Sequence, residues 1–315
     1  MPDDLTLGLI RVFVALVAVA AVAGIVVRRL AIPYTVMLVV IGLIAADLSP
    51  AQLEVTPELV LLVLLPGLVF EASLGLDLAE LRRTFGGVAL LAVPGVVVTA
   101  AIVAIALQLA IGLDPALGLV VGSIVAATDP VAVIATFRKL GAPRQLRTVV
   151  EGESLLNDGT ALVVFAISLR AIGTTVSPLD EVTAFATAIV VSTAIGALGG
   201  WAASRLMTLV DDHSIELSLS LAAAYGTYLV ADALHQSGVI ATLVAGILIG
   251  SYGRRVGMGE RTREALDTVW EFIAFLLTAF AFLLVGLAIS LPQVVRDLPA
   301  IAWGVIAILI GRAVV

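Results

Sequence analysis

Long apolar runs alternate with short polar segments along the whole chain. About 20 apolar residues, rising 1.5 Å each in a helix, cross the roughly 30 Å hydrocarbon core of a bilayer. The pattern therefore predicts about eleven membrane-spanning helices. They are placed at residues 7–27, 32–47, 57–74, 87–112, 116–136, 149–169, 182–204, 215–234, 237–252, 268–290 and 300–315. Because the connections are short, residues 1–315 are predicted to form a single transmembrane domain of an all-α polytopic membrane protein.

The composition supports a membrane location. Hydrophobic residues make up 61% of the chain, charged residues 13%, and the mean hydropathy is +1.17. Soluble domains carry about 25% charged residues, so a globule of this composition could not cover itself with polar surface. The lipid bilayer is therefore the expected partner, while no cofactor and no nucleic acid are expected. The absence of cysteine excludes disulfides and thiolate metal sites.

The basic residues predict the orientation. One set of alternating loops is rich in them, and it contains Arg28, Arg29, Arg82, Arg83, Arg138, Lys139, Arg144, Arg147, Arg205, Arg254, Arg255, Arg261 and Arg263. The opposite set holds only Arg170 and Arg296. By the positive-inside rule the first set is cytoplasmic, which predicts a cell inner membrane protein with an external N-terminus. The last span is still apolar at Val315 and has no basic anchor, so we expect the chain to be truncated within a longer protein.

The sequence VAATDPVAV places an aspartate and a proline inside a predicted span. Proline removes a backbone donor and forces the residue before it out of the α region, so a discontinuous helix is predicted at Thr128–Pro130. Broken helices at membrane depth line cavities or lie buried in protein, and they form ion sites in secondary transporters. Asp129 could cap the second half-helix and Thr128 could offer its carbonyl to a cation. The alternative is a simple proline kink with Asp129 as its cap.

The next span begins with EGESLLNDGTALVVF. Residues three, four and seven apart share a helix face, so Glu151, Ser154 and Asp158 form one polar face, and Glu153 and Asn157 form a second. If the span begins near residue 149, Asp158 lies about 14 Å into the membrane, close to the midplane. An acidic turn near the surface would explain Glu151, but it would not explain a carboxylate at that depth.

Two further charges lie within predicted spans. Glu71 stands near the inner end of the third span, where it either reaches the same site or meets the interface. Arg312 lies inside the last span, where an unpaired guanidinium is costly. It therefore needs a carboxylate partner, and Glu153 on the second polar face is the best candidate.

These motifs resemble the sodium/proton exchanger family of monovalent cation:proton antiporters, specifically its bacterial electroneutral NhaP-like branch. The resemblance rests on ATDPVAV followed by EGESLLNDGTALVVF, and it continues through IPYTVMLVVIGL, LLPGLVFEASLGLDL, SGVIATLVAGILIGSYG, FLLVGLAI and IGRAVV. It implies an inverted-repeat antiporter fold of about thirteen spans, of which about eleven are present here, and a homodimer.

The resemblance also implies roles for the polar residues. The residues that would bind the cation or proton are Asp158, Ser154, Thr128 and Glu71, with Na⁺ or K⁺ held at the first three. Asp129, Pro130 and Asn157 would support the site, and Glu153 would pair with Arg312. Asp158 would bind cation and proton in turn.

The function implied is secondary active exchange of Na⁺, or Li⁺, for H⁺ across the cytoplasmic membrane by alternating access. One-for-one electroneutral exchange is expected, because electrogenic relatives carry aspartate where Asn157 stands. A K⁺/H⁺ antiporter of the same family is one alternative, and a passive cation channel is another from a different class. An enzyme is not expected: neither Asp129 nor Asp158 lies in the Gly-x-Gly-Asp motif of intramembrane aspartyl proteases, and no predicted span contains the histidine that a rhomboid-type protease needs.

Overall fold

The computed structural model describes residues 2–30, 33–48, 60–76, 78–128, 130, 133–134, 136–137, 140–172 and 178–315. These residues form helices and short connections, with no β-strand among them, which confirms the predicted all-α fold. The helices are α1 (Pro2–Leu30), α2 (Tyr34–Leu48), α3 (Leu65–Leu74), α4 (Leu78–Leu90), α5 (Val96–Ile111), α6 (Pro115–Ala126), α7 (Arg144–Ala171), α8 (Pro178–Met207), α9 (His213–Ala233), α10 (Gly238–Leu248), α11 (Arg254–Val256), α12 (Glu260–Ala288), α13 (Leu291–Arg296) and α14 (Leu298–Val314).

Within the described parts of the chain, five helices are long and apolar enough to cross a membrane: Leu78–Ile111, Gln145–Ala171, Val182–Met207, Gly238–Val256 and Glu260–Ala288. Shorter apolar helices occupy Val14–Val27, Tyr34–Ala46, Val60–Leu74, Pro115–Ala126 and Leu298–Val314. Some helices extend beyond the apolar runs that predicted them. Helix α4, for example, begins at Leu78, although the predicted span begins at residue 87, because hydrogen bonding rather than hydropathy determines where a helix starts.

Among the described residues, three single turns of π-helix interrupt the helical segments, at Val60–Leu64, Leu91–Gly95 and Ile249–Gly253. The second of them contains Pro94 and joins α4 to α5. Proline cannot donate a backbone hydrogen bond, and its ring crowds the preceding turn. A wider turn relieves that crowding, so the chain runs through Pro94 as one helical segment from Leu78 to Ile111.

The chain divides into two compact units: Met1–Leu68 with Leu266–Arg296, and Val69–Ala265 with Asp297–Val315. In the first unit, α2 crosses α12 with the backbones in contact at Gly42 and Gly286. A Cβ on either glycine would overlap a carbonyl oxygen of the other helix, so only glycine permits this approach. The Tyr34 ring stacks on Phe275 at 5.4 Å, and the Tyr34 hydroxyl donates to the Ala20 carbonyl at 3.2 Å.

In the second unit, α10 is buried between two neighbouring helices. Gly196 and Gly200 of α8 pack directly on α10 at Ala241 and Ala245. On another side of α10, Gly246 meets the Phe70 and Ser73 positions of α3, and Gly250 in the following π-helical turn meets Leu74. Small residues let helices approach closely in membrane proteins, where van der Waals packing drives association. Helix α10 is therefore fixed against both α3 and α8.

Helix α6 ends near its predicted break. It starts at an N-cap, Asp114, whose carboxylate accepts from the backbone N–H groups of Ala116 and Leu117 at 2.9 and 3.3 Å. The helix ends at Ala126, and Ala127 is already extended, with φ −69° and ψ 138°. Helical hydrogen bonding resumes beyond the break, because the Ile134 N–H donates to the Pro130 carbonyl at 2.8 Å.

Candidate cation site

The C-terminal end of α6 is held by Arg312 from α14. The Arg312 Nη2 atom donates to the Ala126 carbonyl at 2.7 Å and to the Thr128 hydroxyl oxygen at 2.6 Å. The last carbonyls of a helix carry partial negative charge and have no partner within the helix. A guanidinium there supplies both the missing donors and a compensating positive charge.

The same guanidinium forms an ion pair with Glu153 of α7. Arg312 Nη1 lies 3.1 Å from Glu153 Oε1, and the two side chains are 28% and 13% exposed. The structure thus places Arg312 against the carboxylate that the sequence suggested for it. Because both groups are largely removed from solvent, each neutralises a charge that would otherwise be costly to bury.

Asn157 completes this network. It is fully buried, and its Nδ2 donates to Glu153 Oε1 at 3.0 Å and to Thr128 Oγ1 at 3.4 Å. The amide nitrogen must face Glu153, since the amide oxygen would be repelled by the carboxylate. Asn157 Oδ1 is consequently left buried, with no hydrogen-bond partner among the described residues. An orphaned acceptor of this kind is uncommon in a protein interior.

Ser154 connects α7 to the backbone of the break. Its hydroxyl donates to the Thr128 carbonyl at 2.5 Å, and its side chain is buried. Thr128 therefore receives contacts from three side chains: Ser154 at its carbonyl, and Asn157 and Arg312 at its hydroxyl. These contacts hold the non-helical segment against α7 within the second unit.

Asp158 lies on α7 one turn beyond Ser154 and seven residues beyond Glu151, and all three occur in one continuous helix. Its side chain is partly buried. Glu71 on α3 is also partly buried. Pro130 is non-helical and partly buried, whereas Asp129 falls outside the described residues. Hydrogen bonds thus join Thr128 directly to Ser154, Asn157 and Arg312. Glu153 is joined to Thr128 indirectly, through Asn157 and Arg312. Asp158 lies on the same helix as Ser154.

Several contacts in this arrangement were not predicted from the sequence, including the hydrogen bond from Arg312 to the Thr128 hydroxyl. The contact of Arg312 with the Ala126 carbonyl involves a backbone atom of an alanine, which has no signature in a sequence. The apolar packing around the break was also not foreseen: Val96, Ala126 and Ala161 form a buried cluster there. Alanine on two of the three helices lets α5, α6 and α7 approach closely at this level.

The chain is similar to known proteins over nearly all of its length. A family model described as "Sodium/hydrogen exchanger, transmembrane" matches residues 16–315. The "Low-affinity Na(+)/H(+) antiporter NhaS1" of Synechocystis sp. is 38% identical over 285 residues, which cover 90% of this chain and 54% of that protein. The "Na(+)/H(+) antiporter ApNhaP" of Aphanothece halophytica is 39% identical over 285 residues, covering 90% and 55% respectively. The chain thus spans about half the length of these curated relatives.

A solved structure shares the fold. The sodium proton antiporter MjNhaP1 from Methanocaldococcus jannaschii, at pH 8, superimposes with a TM-score of 0.78 and 20% sequence identity. The match covers 99% of this chain and 78% of that one. The resemblance in fold that the motifs implied is therefore confirmed.

Proposed function

The chain belongs to the transmembrane sodium/hydrogen exchanger family, and from this premise we propose that the protein exchanges Na⁺ for H⁺ across the cytoplasmic membrane. Members of this family are transporters rather than enzymes. The observation that carries the proposal is the broken segment at Thr128, whose carbonyl meets the Ser154 hydroxyl one helical turn from the Asp158 carboxylate. Hard oxygen donors of these kinds suit a small alkali cation.

In this proposal, Asp158 binds the cation and the proton in turn. A partly buried carboxylate is costly to leave as a bare charge, and either a cation or a proton removes that cost. The two cannot be bound together, because each neutralises the same group. Exchange follows by linkage, since binding of the cation releases the proton. The Thr128 carbonyl, the Ser154 hydroxyl and the Glu71 carboxylate supply the remaining oxygen ligands.

We propose that exchange is electroneutral, one cation for one proton. The support comes from the groups beside Asp158. Glu153 is neutralised by Arg312 at 3.1 Å, and Asn157 carries no charge at any physiological pH. Of Glu153, Asn157 and Asp158, the group whose charge changes during the cycle is then Asp158, so Na⁺ replaces H⁺ without net charge movement.

The protein is a multi-pass membrane protein of a family with bacterial antiporters. We propose that it lies in the inner membrane with its arginine-rich loops on the cytoplasmic side and its N-terminus outside. We also propose that it works as a homodimer, in line with the family resemblance. Cross-linking in native membranes tests the dimer.

The test is proton movement in proteoliposomes that contain the purified full-length protein. A pH-sensitive dye reports exchange after addition of Na⁺, Li⁺, K⁺ or choline. We expect a response to Na⁺ that is lost in Asp158→Asn and kept in Asp232→Asn, a control at an exposed carboxylate on α9. Exchange that persists in Asp158→Asn would refute the role of Asp158, and a response to K⁺ alone would identify a different cation. A sustained current on a solid-supported membrane would contradict electroneutrality.

A further inference from the structure

Gly159 follows Asp158 on α7 and packs against the first turn of α10. A Cβ at Gly159 would lie 2.9 Å from Ile240 Cγ1 and 3.8 Å from Val239 Cγ1. Both apolar side chains are buried, with exposures of 8% for Ile240 and 2% for Val239. The missing side chain of Gly159 therefore lets Ile240 lie directly on the α7 backbone beside Asp158.

The first turn of α10 is fixed from several directions. The Ile240 N–H donates to the Ser237 side chain at 3.3 Å, which caps the helix. Gly238 lies under the Tyr228 ring, so that a Cβ there would be 2.6 Å from the ring. The Thr242 hydroxyl donates to the Ala224 carbonyl of α9 at 3.1 Å. The first turn of α10, which includes Ile240, is thus held in place by contacts with α9 and by the Ser237 cap. It presents a fixed apolar surface to α7.

The position of this contact along α7 shows on which side of Asp158 it lies. Helix α7 begins at Arg144, next to the arginine-rich loops, and Gly159 lies one residue beyond Asp158 towards the opposite end. Helix α10 also begins at that opposite end, because it runs towards Arg254 and Arg255. The contact of Ile240 with Gly159 therefore lies on the side of Asp158 that faces away from the arginine-rich loops.

We propose that Ile240 is the hydrophobic barrier that closes the path from the face opposite the arginine-rich loops to Asp158. This inference rests on the proposed antiport function, which requires that a single site never be open to both sides of the membrane. An apolar constriction blocks hydrated ions by excluding water, and it needs no charged latch. Because Gly159 has no side chain, Ile240 can pack closely against α7 and exclude water there. The same absence leaves nothing to obstruct movement of α7 along the apolar surface of α10.

Residues 1–315 contain no cysteine. In a full-length protein kept otherwise free of cysteine, a single introduced thiol therefore reports access. Leu155→Cys places a partly buried thiol three residues before Asp158, on the arginine side of the contact. Ile172→Cys, at the exposed far end of α7, identifies the membrane face from which a charged, membrane-impermeant thiol reagent is added. We expect Ile240→Ala to make Leu155→Cys react about tenfold faster from that face, since it opens a gap in a close-packed contact.

Ile247→Ala is the matched control, because Ile247 lies two turns further along α10 and is equally buried, at 7% exposed. The proposal is overturned if the reaction rate is unchanged in Ile240→Ala, or if Ile247→Ala raises it by the same factor. The labelling rate does not depend on transport. Failure of the barrier is therefore distinguishable from failure of the antiport proposal, which the dye assay measures separately.

A second experiment keeps the proposal testable if Ile240→Ala alone folds poorly, because a methyl group added at Gly159 fills part of the space that the smaller side chain leaves. Gly159→Ala introduces a methyl group into the contact with Ile240, and we expect it to lower the maximal exchange rate while the KM for Na⁺ changes little. Ile240→Ala in the same chain removes the clash and should restore most of that rate. Losses that multiply in the double variant, instead of compensating, would also overturn the proposal.

Discussion

Arg312 and Glu153 lie 159 positions apart in the chain, and their side chains meet at 3.1 Å. The same guanidinium also reaches the Ala126 carbonyl and the Thr128 hydroxyl, so one side chain connects α14, α7 and the end of α6. The planar fork of arginine provides several donors in fixed directions, which a lysine ammonium on a flexible stem does not reproduce. The ion pair is therefore also a structural clamp on the broken segment.

The first prediction concerns loss of this clamp. Arg312→Ala leaves the largely buried Glu153 carboxylate without its ion-pair partner, and we expect it to destabilise the protein by about 3 kcal/mol. Arg312→Lys should recover only part of the loss, because one ammonium cannot satisfy all three acceptors. Arg82→Ala, at an exposed position, is the control for removal of one arginine. Thermal unfolding of the purified protein in detergent measures each change.

The coupling between the two residues can be measured separately. In a Glu153→Gln background the buried negative charge is absent, so Arg312→Ala should cost less than it does in the wild type. Simple additivity of the two losses would mean that the pair contributes nothing beyond its separate contacts.

The second prediction concerns the Thr128 hydroxyl. It accepts from both Arg312 and Asn157. Thr128→Val would therefore remove one acceptor from the buried Asn157 amide and one from the partly buried Arg312 guanidinium, while preserving the shape of the side chain. We expect a loss of about 1–3 kcal/mol in Thr128→Val. Thr128→Ser keeps the oxygen and should lie close to the wild type. If the two variants unfold at the same temperature, the hydroxyl is not a structural acceptor.

The sequence predicted the family fold and the pairing of Arg312 with Glu153, but not the other hydrogen bonds that Arg312 makes. A lone guanidinium within a span is costly, so the sequence predicts a carboxylate partner for Arg312 and favours Glu153. The structure places the two side chains in contact. The contact with the Ala126 carbonyl could not be foreseen, since every residue carries the same carbonyl group. Helix ends differ from the ends of the predicted spans for a related reason: hydropathy reports how long the apolar part is, whereas caps and backbone geometry determine where the helix stops. The role of Asp158 stays a prediction.

The third prediction concerns the close contact of Gly250 with α3. A Cβ at Gly250 would overlap the carbonyl oxygen of Leu74, a backbone atom that cannot rotate away. Gly250→Ala should therefore destabilise the protein and shift the helix that bears Glu71, lowering exchange. Gly226→Ala is the matched control, because no atom lies within 4 Å of the added methyl group. In that variant we expect a small gain of about 0.5–1 kcal/mol from the higher helix propensity of alanine.

The fourth prediction concerns Asp212, which precedes α9 outside the membrane-spanning part. Its carboxylate accepts from the Ser214 and Ile215 backbone N–H groups at 2.8 and 3.3 Å, and these bonds lower the pKa of Asp212. A lowered pKa in the folded state means that Asp212 contributes stability above the pKa of the unfolded chain. That contribution is lost as the pH falls through the lowered pKa of the folded state.

Asp212→Asn keeps a good N-cap residue but removes the titrating group. We expect it to lower the melting temperature near neutral pH and to flatten its decline at acid pH. Asp211→Asn removes a neighbouring exposed charge and serves as the control. If the melting temperature falls just as steeply at acid pH in Asp212→Asn as in the wild type, this cap does not contribute to the pH dependence of stability.

The hydroxyl proton of Ser154 is directed at the Thr128 carbonyl, and a hydroxyl has only one proton to donate. Any other group that approaches Ser154 Oγ therefore encounters only the lone pairs of the oxygen. The oxygen is polarised in advance, so it can accept from a water molecule, a protonated acid or a metal ion but cannot offer a hydrogen bond to an anion. The direction of a single O–H bond thus makes this side chain selective for electron-poor partners before any charged residue takes part.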